Sequence, residues 1–250
     1  MLLRSRIPEL MDDPQLDQAL HIEALDGLDL LNRVSGASSV LWGELMKFES
    51  SLENETDCES GGTRKLRVLD VATGGGDNLI RLARLAASAN SNFEFVGTDI
   101  SPSAIDYANE KAKKSCSGAD SSDWQSRVKF MQLDALNEKI PSGFDVVMTS
   151  LFTHHLDPED VIALLRNMHA SDARMILVND LVRSRLSYCL VWLASRLLTR
   201  SSVVHFDAPV SVRAAFTPGE MRSMALEAGL QGCAVQLHPP CRQLLVWRRR

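Results

Sequence analysis

Three consecutive glycines follow an acidic residue at the end of an apolar run. Leu66 to Val71 has the pattern of a short buried strand that includes Asp70, and Gly74, Gly75 and Gly76 end it before an amphipathic segment begins. Glycine backbone can approach a ligand without a Cβ in the way. The helix start that follows directs free N–H groups and the positive end of its dipole at that ligand. The pattern predicts a turn that binds a small molecule.

A second acid, Asp99, ends the next predicted strand, Asn92 to Asp99. Ser101 is a typical helix N-cap and Pro102 a typical first helical residue. Asp99 is therefore expected at the carboxyl end of a strand, one βαβ unit after the glycines. An acid at this place can accept hydrogen bonds from two vicinal ribose hydroxyls. We therefore expect a ligand that contains a nucleoside.

Two adjacent histidines, His154 and His155, follow the fourth predicted strand, Phe144 to Ser150. In a parallel sheet, ligands bind outside the carboxyl ends of the strands. Imidazole titrates near neutral pH, so it can take a proton from a phenol or another hydroxyl. The alternative is that one ring only bonds backbone and shapes the pocket. We expect the pair to act as a general base, and the pattern leaves open which histidine does so.

The glycine turn does not complete the dinucleotide fingerprint G-x-G-x-x-G, because its third glycine is replaced by Leu79. The sequence has D-x-A-x-G-G-G from Asp70, then G-T-D-I-S-P around Asp99. These blocks resemble motifs I and II of the class I S-adenosylmethionine-dependent methyltransferases, with Ala72 where a first glycine is commoner. The segment after the fourth strand resembles motif IV. The pattern Phe-Thr-Pro-x-Glu from Phe216 resembles the quinone-biosynthesis and related small-molecule members. The resemblance covers about residues 65–247.

The resemblance implies a Rossmann-like α/β fold. We expect a seven-stranded, mostly parallel sheet with helices on both faces and an antiparallel last strand. The cofactor would be S-adenosylmethionine, with S-adenosylhomocysteine as its product. In this family an acid after the third strand commonly contacts the adenine amino group, which implies that role for Asp134. The residues implied in cofactor binding are Asp70, Ala72, Thr73, Gly74, Gly76, Asp99, Ile100, Asp134, Ala135 and Ser150.

The chain divides into two expected regions. Residues 1–64 are interpreted as an N-terminal helical cap and linker, because apolar residues recur at helical spacing up to about residue 48 and residues 49–64 are polar and acidic. The resemblance implies that such helices cover the cofactor cleft, and plain packing on the sheet is the alternative. Residues 65–250 are the expected S-adenosylmethionine-binding domain, with a helical lid insert at about 181–216.

The insert contains Leu186 to Leu198, the most apolar predicted helix. It is too short to span a bilayer, and core, lid and interfacial anchor are the three interpretations. The resemblance implies a lid, with Tyr188 and Trp192 walling an apolar acceptor pocket. Three arginines near the insert either hold an acidic acceptor or face water: Arg183, Arg185 and Arg213.

Composition narrows the function classes. The 250-residue chain carries a net charge of −5, which argues against a general nucleic-acid binder. Its five scattered cysteines form no C-x-x-C pair, which favours a reducing cytoplasm over a disulfide scaffold or a zinc site. We expect no metal, no signal peptide and no integral membrane segment, and a homodimer is possible.

The leading hypothesis is methyl transfer to oxygen or carbon of a small aromatic or lipophilic acceptor. An NAD-dependent dehydrogenase could use the same fold, but Leu79 argues against it. A third hypothesis is a non-catalytic protein that binds S-adenosylmethionine in an assembly or regulatory role. Turnover of any acceptor separates the first hypothesis from the third.

Overall fold

A computed structural model describes residues 3–13, 15–53, 65–114 and 122–249. Strands and helices alternate along the middle of the chain, as the sequence predicts. The strands are β1 (Leu66–Val71), β2 (Phe93–Asp99), β3 (Val128–Gln132), β4 (Val146–Ser150), β5 (Met175–Leu181), β6 (Ala234–His238) and β7 (Arg242–Arg248). The helices are α1 (Gln18–Val34), α2 (Ala37–Glu53), α3 (Asp77–Ser88), α4 (Pro102–Lys114), α5 (Ser122–Ser126), α6 (Pro158–Ala170), α7 (Arg185–Leu198), α8 (Ser202–Ala214) and α9 (Pro218–Glu227).

The described residues form one seven-stranded sheet in the order β3-β2-β1-β4-β5-β7-β6. The pairings from β3 through β5 are parallel, whereas β7 pairs antiparallel with both β5 and β6. The strand order reverses between β1 and β4, which is where doubly wound sheets open a ligand crevice at the carboxyl strand ends. The predicted fold class, including the antiparallel last strand, is confirmed.

Both faces of the sheet are buried, which explains the apolar runs at the start of the central strands β4 and β5. On one face Leu69, Ile176 and Leu245 pack with α6 and α9. On the other face Val68 and Leu177 pack with α2 and α3. This double burial holds the carboxyl strand ends in fixed positions, and the candidate site is built on those ends.

The two N-terminal helices have different roles. Leu41, Leu45 and Phe48 of α2 belong to the sheet core, so this helix packs against the sheet. In contrast, α1 packs on α8 around the buried Ala24. The prediction of a linker at 49–64 is wrong for residues 49–53, which are the last turns of α2. Residues 54–64 of that predicted linker lie outside the described part of the chain.

The insert contains two helices, α7 and α8, that pack against each other. The sequence predicts only the first, because Pro209 lies inside α8 and proline usually interrupts a helix. The plain core interpretation of α7 is wrong, because Leu186, Leu193 and Leu197 are exposed. No helix within the described ranges combines the length and apolar character that crossing a bilayer requires.

Candidate active site

The glycine turn after β1 has two glycines with different surroundings. Gly74 and Gly76 both adopt left-handed backbone, with φ of +55° and +75°. A Cβ on Gly76 would lie 2.7 Å from the Phe130 ring and 3.1 Å from Ala108, so this glycine permits close packing where α3 begins. A Cβ on Gly74 would meet no protein atom within 4 Å. Gly74 therefore borders open space that a ligand can occupy.

Asp99 ties the turn to the end of β2. Its Oδ2 accepts a hydrogen bond from the Gly74 N–H at 2.9 Å, and its Oδ1 accepts one from the Ser101 N–H at 2.9 Å. Each carboxylate oxygen keeps a further lone pair for a ligand hydroxyl. The neighbouring Ile100 side chain is 60% exposed, which leaves an apolar surface beside this acid.

Asp70 lies behind the glycine turn and is 2% exposed. The Thr73 hydroxyl donates to its Oδ2 at 2.8 Å, whereas its buried Oδ1 has no partner among the described residues. Burial raises the pKa of Asp70 to about 7; the Thr73 hydrogen bond opposes this shift and the Asp99 charge adds to it. A buried carboxylate oxygen without a partner fits a site that receives a hydrogen-bond donor from outside the chain.

A cavity of about 190 Å³ lies at the glycine turn and brings together Ala72, Thr73, Gly74 and Ser150 among the predicted residues. The sequence analysis missed its other polar walls, which come from α1, α2 and α3. In this wall Arg81 pairs with Asp29 at 2.9 Å, and Ser38 donates to Asn78 at 2.5 Å. Both charges and hydrogen-bonding groups are therefore available to a zwitterionic ligand group.

The other residues predicted to bind the cofactor lie around neighbouring strand ends. Asp134 follows β3 and accepts hydrogen bonds from the backbone of Leu136 and from the backbone and side chain of Asn137. The Asn137 side chain lowers the pKa of Asp134. The Ala135 carbonyl accepts from Asn167 at 3.0 Å. Asp134 therefore stabilises a turn, which is the alternative role for an acid at this position, and a ligand contact would be additional.

A second cavity, of about 460 Å³, adjoins the first. Asn32, Gly74 and Leu151 line both cavities, so the two spaces meet at the glycine turn. The walls of the larger cavity are mainly apolar and come from segments far apart in the sequence. They include Met11, Leu28, Leu31, Leu181, Leu190, Val191, Ala194, Leu198 and Ala208.

His154 lines this larger cavity and forms a buried pair with Asp180 of β5. The His154 Nδ1 lies 2.7 Å from Asp180 Oδ1, and the His154 backbone N–H donates to Asp180 Oδ2 at 3.0 Å. Thr153 and Leu181 also donate to this carboxylate. A carboxylate that accepts the Nδ1–H fixes the tautomer that leaves the Nε2 lone pair free.

The two histidines have opposite electrostatic surroundings. Burial disfavours the charge of His154, but the Asp180 carboxylate outweighs burial and raises the pKa of His154 above its ordinary value of 6.5. Burial, reinforced by the His154 charge, lowers the pKa of His155 to about 4. Burial alone would raise the pKa of Asp180, but the charge and hydrogen bond of His154 outweigh burial and lower that pKa to about 2. The low pKa of His155 makes it a weak base, so His154 is the better candidate.

Glu9 approaches His154 from the N-terminal segment, with 3.8 Å between its Oε1 and His154 Nε2. Potential ligand atoms of Glu9, His154 and His155 lie within 4.8 Å of one another. The two imidazole rings contact each other, with centroids 4.2 Å apart and planes tilted by 36°.

The structure corrects the predicted acceptor wall. Tyr188 and Trp192 are not among the cavity-lining residues, and Trp192 is 42% exposed beneath the Arg196 guanidinium. The residues of α7 that line the cavity lie on another face of the helix. Its aromatic residues therefore did not indicate which face points inward. Arg183 pairs with Glu220 at 2.6 Å, and Arg185 is exposed. Sequence analysis missed Arg242, which is 1% exposed and lines the cavity.

Residues 68–171 match a family model described as a methyltransferase domain. This segment runs from β1 to just beyond α6 and contains the glycine turn, Asp99 and both histidines. No curated protein sequence matches the chain significantly.

Solved structures with the same fold cover different shares of the chain. The plantazolicin methyltransferase BpumL, in complex with SAH, is 14% identical with a TM-score of 0.64. This match covers 96% of this chain and 92% of the BpumL chain. The magnesium protoporphyrin IX methyltransferase ChlM from Synechocystis PCC 6803, with bound SAH, is 15% identical with a TM-score of 0.52. This match covers 95% of this chain and 90% of the ChlM chain.

The S-adenosylmethionine-dependent methyltransferase SibL, in its apo form, is 19% identical with a TM-score of 0.55. The match covers 74% of this chain but 51% of SibL, so the chain spans about half the length of that protein. At these identities the likeness shows a shared fold. Residues 68–171 thus resemble a methyltransferase domain, and the seven-stranded sheet has the fold of these S-adenosylmethionine-dependent methyltransferases.

Proposed function

We propose that the protein transfers a methyl group from S-adenosylmethionine to a hydroxyl oxygen of a small aromatic or lipophilic acceptor, with His154 as general base. The observation that carries this proposal is the His154–Asp180 pair, which lines an apolar cavity that meets the glycine-turn cavity. The methyltransferase names of BpumL, ChlM and SibL agree with the reaction class.

The donor-side residues fit the parts of S-adenosylmethionine. Asp99 has lone pairs for the two ribose hydroxyls, and Ile100 offers an exposed apolar surface for adenine beside Asp134 and Ala135. The cavity at Gly74 would hold the amino-acid end, where Arg81 can pair with its carboxylate and Asp29 with its ammonium group. Thr73 and Ser150 line the same space.

When bound, S-adenosylmethionine supplies a methyl carbon on a positively charged sulfur that leaves as a neutral thioether. Leu151 and Gly74 border the junction of the two cavities and would align the acceptor oxygen with that carbon. His154 Nε2 would accept the hydroxyl proton as the acceptor oxygen takes the methyl group and the neutral thioether leaves. Asp180 holds the imidazole in orientation and stabilises the charge that it gains. The apolar walls exclude water from the reaction.

The test uses purified protein, S-adenosylmethionine and a panel of alkyl-substituted phenols, with S-adenosylhomocysteine release as the readout. The matched variants are His154→Gln and His155→Gln. We expect His154→Gln to lower kcat by about 10³-fold, the middle of the range for general bases, with S-adenosylhomocysteine affinity unchanged. His155→Gln should keep most of the activity, because its low pKa makes it a weak base.

Parent-like turnover in both variants would remove the general-base role. Binding of S-adenosylhomocysteine without methylation of any acceptor would favour the non-catalytic alternative. Binding of NAD in place of the sulfur nucleotides would favour the dehydrogenase. Mass spectrometry and NMR of the product distinguish oxygen from carbon methylation.

A further inference from the structure

Arg242 is a buried cation that forms no ion pair with the residues that the structure describes. It begins β7 opposite Leu181 of β5 and is 1% exposed. Its Nε and Nη2 donate to Ser35 Oγ at 3.1 and 2.8 Å, and its Nη2 donates to Asn32 Oδ1 at 2.9 Å. All three acceptor contacts are to neutral groups. Its buried Nη1 has no hydrogen-bond partner among the described residues.

Arg183 shows how the same fold handles another buried guanidinium. Arg183 is 4% exposed, its Nη2 pairs with Glu220 Oε1 at 2.6 Å, and its Nη1 donates to the Ala215 carbonyl at 3.0 Å. Removing a guanidinium from water is costly unless an opposite charge and hydrogen bonds replace the water. Arg183 therefore has a counterion in direct contact. The hydrogen bonds of Arg242 are to the neutral Asn32 and Ser35, and the Asp180 carboxylate acts on it without forming an ion pair.

The position of Arg242 indicates where its counterion would come from. Arg242, Asn32 and Ser35 all line the 460 Å³ cavity. The Arg242 charge also acts on His154 and Asp180, so it lies near the proposed base. Glu9 and Asp12 are at the cavity wall as well, and their negative charges would direct an anionic group away from themselves and towards Arg242.

We propose that Arg242 binds a carboxylate of the acceptor, which makes the acceptor a hydroxy acid with an apolar body. The planar guanidinium, with the two N–H groups of Nη1 unpaired, suits a carboxylate. The apolar remainder would lie against Leu31 of α1 and Val191 and Leu198 of α7. The inference rests on the proposed function, because it takes this cavity as the acceptor site.

The experiment measures binding rather than turnover. Para-butylbenzoate and para-butylbenzamide have nearly the same shape and differ in charge. Calorimetric titration of the protein, saturated with S-adenosylhomocysteine, should show about tenfold tighter binding of the benzoate, as one charge-assisted hydrogen bond predicts. Arg242→Met should remove this preference and leave benzamide affinity unchanged. The control Arg185→Met removes an exposed arginine outside the cavity and should keep the preference.

Equal binding of the two probes by the parent protein would overturn the proposal without any variant. So would an unchanged preference in folded Arg242→Met. If that variant does not fold, Arg242→Lys keeps the charge but not the planar fork, and the preference should fall without disappearing. The titration measures no methyl transfer, so its result is independent of the turnover assay. If no acceptor is methylated, the proposed function is refuted, but a measured carboxylate preference at Arg242 would still hold.

Discussion

The cleft has a proposed methyl-donor side at the glycine turn and a proposed acceptor side at the larger cavity, and the two are assembled from different kinds of chain segment. On the donor side, Asp70, Gly74 and Asp99 lie at the ends of β1 and β2, within one βαβ unit. On the acceptor side, the walls combine the N-terminal segment at Glu9 with α1, α7, α8 and Arg242 near the other end of the chain. The His154–Asp180 pair, which includes the proposed general base, lies just after β4 and at the end of β5.

The two sides therefore differ in whether local sequence or contacts between distant segments fix the positions of their side chains. A parallel sheet fixes its carboxyl strand ends, so a short sequence pattern is enough to place donor-side groups. Helices that cover a cleft are placed by packing between distant segments, and no local pattern states which face of each will point inward. We therefore expect donor-side substitutions to change cofactor affinity and acceptor-side substitutions to change acceptor binding or turnover.

The largest expected effect on the donor side is that of Asp99→Ala. Loss of two charge-assisted hydrogen bonds, at about 1.5 kcal/mol each, should weaken S-adenosylhomocysteine binding by about 100-fold. Calorimetric titration measures this change. Asp106→Ala, which removes an exposed acid on α4, is the matched control and should bind like the parent. Parent-like affinity of Asp99→Ala would show that this acid does not hold the ribose.

The second prediction concerns Asp180 as a positioning residue. Asp180→Asn should lower kcat on the order of 30-fold, because the imidazole loses its orienting charge. His154 must be neutral to accept a proton, so activity should rise as pH increases through its pKa, which Asp180 holds above 6.5. In Asp180→Asn burial dominates, and the midpoint of the kcat–pH profile should move to lower pH. A lower kcat with an unmoved midpoint would indicate only a structural role.

The third prediction separates binding from packing within the glycine turn. Gly74→Ala places a methyl group in open space, so it should weaken S-adenosylhomocysteine binding about tenfold and cost about 1–2 kcal/mol of stability for its left-handed backbone. Gly76→Ala adds contact with Phe130 and Ala108, and it should cost about 3 kcal/mol or more. Denaturant unfolding and calorimetric titration together measure both. Equal stability losses in the two variants would contradict this separation.

The residues that could be predicted from the sequence are those fixed by local patterns, and the residues that were missed are fixed by contacts between distant segments. The turn at Gly74, Asp99 and the helix start at Pro102 follow from local signals and were predicted. Asp180 was missed because it resembles any polar residue closing a buried strand, and its partner His154 is distant in the chain. Arg242 was missed because an arginine beginning a strand near the end of the chain has no local mark of burial. These two side chains gain their roles only through tertiary contact.

The smallest expected effect tests whether the acceptor side contains a metal ion. Glu9, His154 and His155 are close enough to suggest ligands, and Asp180 on His154 Nδ1 is a partner that metal-bound histidines also have. One contact argues for proton transfer instead: the Ser211 hydroxyl donates to Glu9 Oε1, the oxygen that faces His154 Nε2. Incubation with excess chelator, followed by its removal, should therefore change kcat by less than about twofold, well below the 10²–10⁴-fold worth of a general base. A loss of activity that zinc or manganese restores would contradict this expectation. A metal bound at His154 Nε2 would also exclude the general-base role, because that nitrogen cannot both bind a metal and accept the proton.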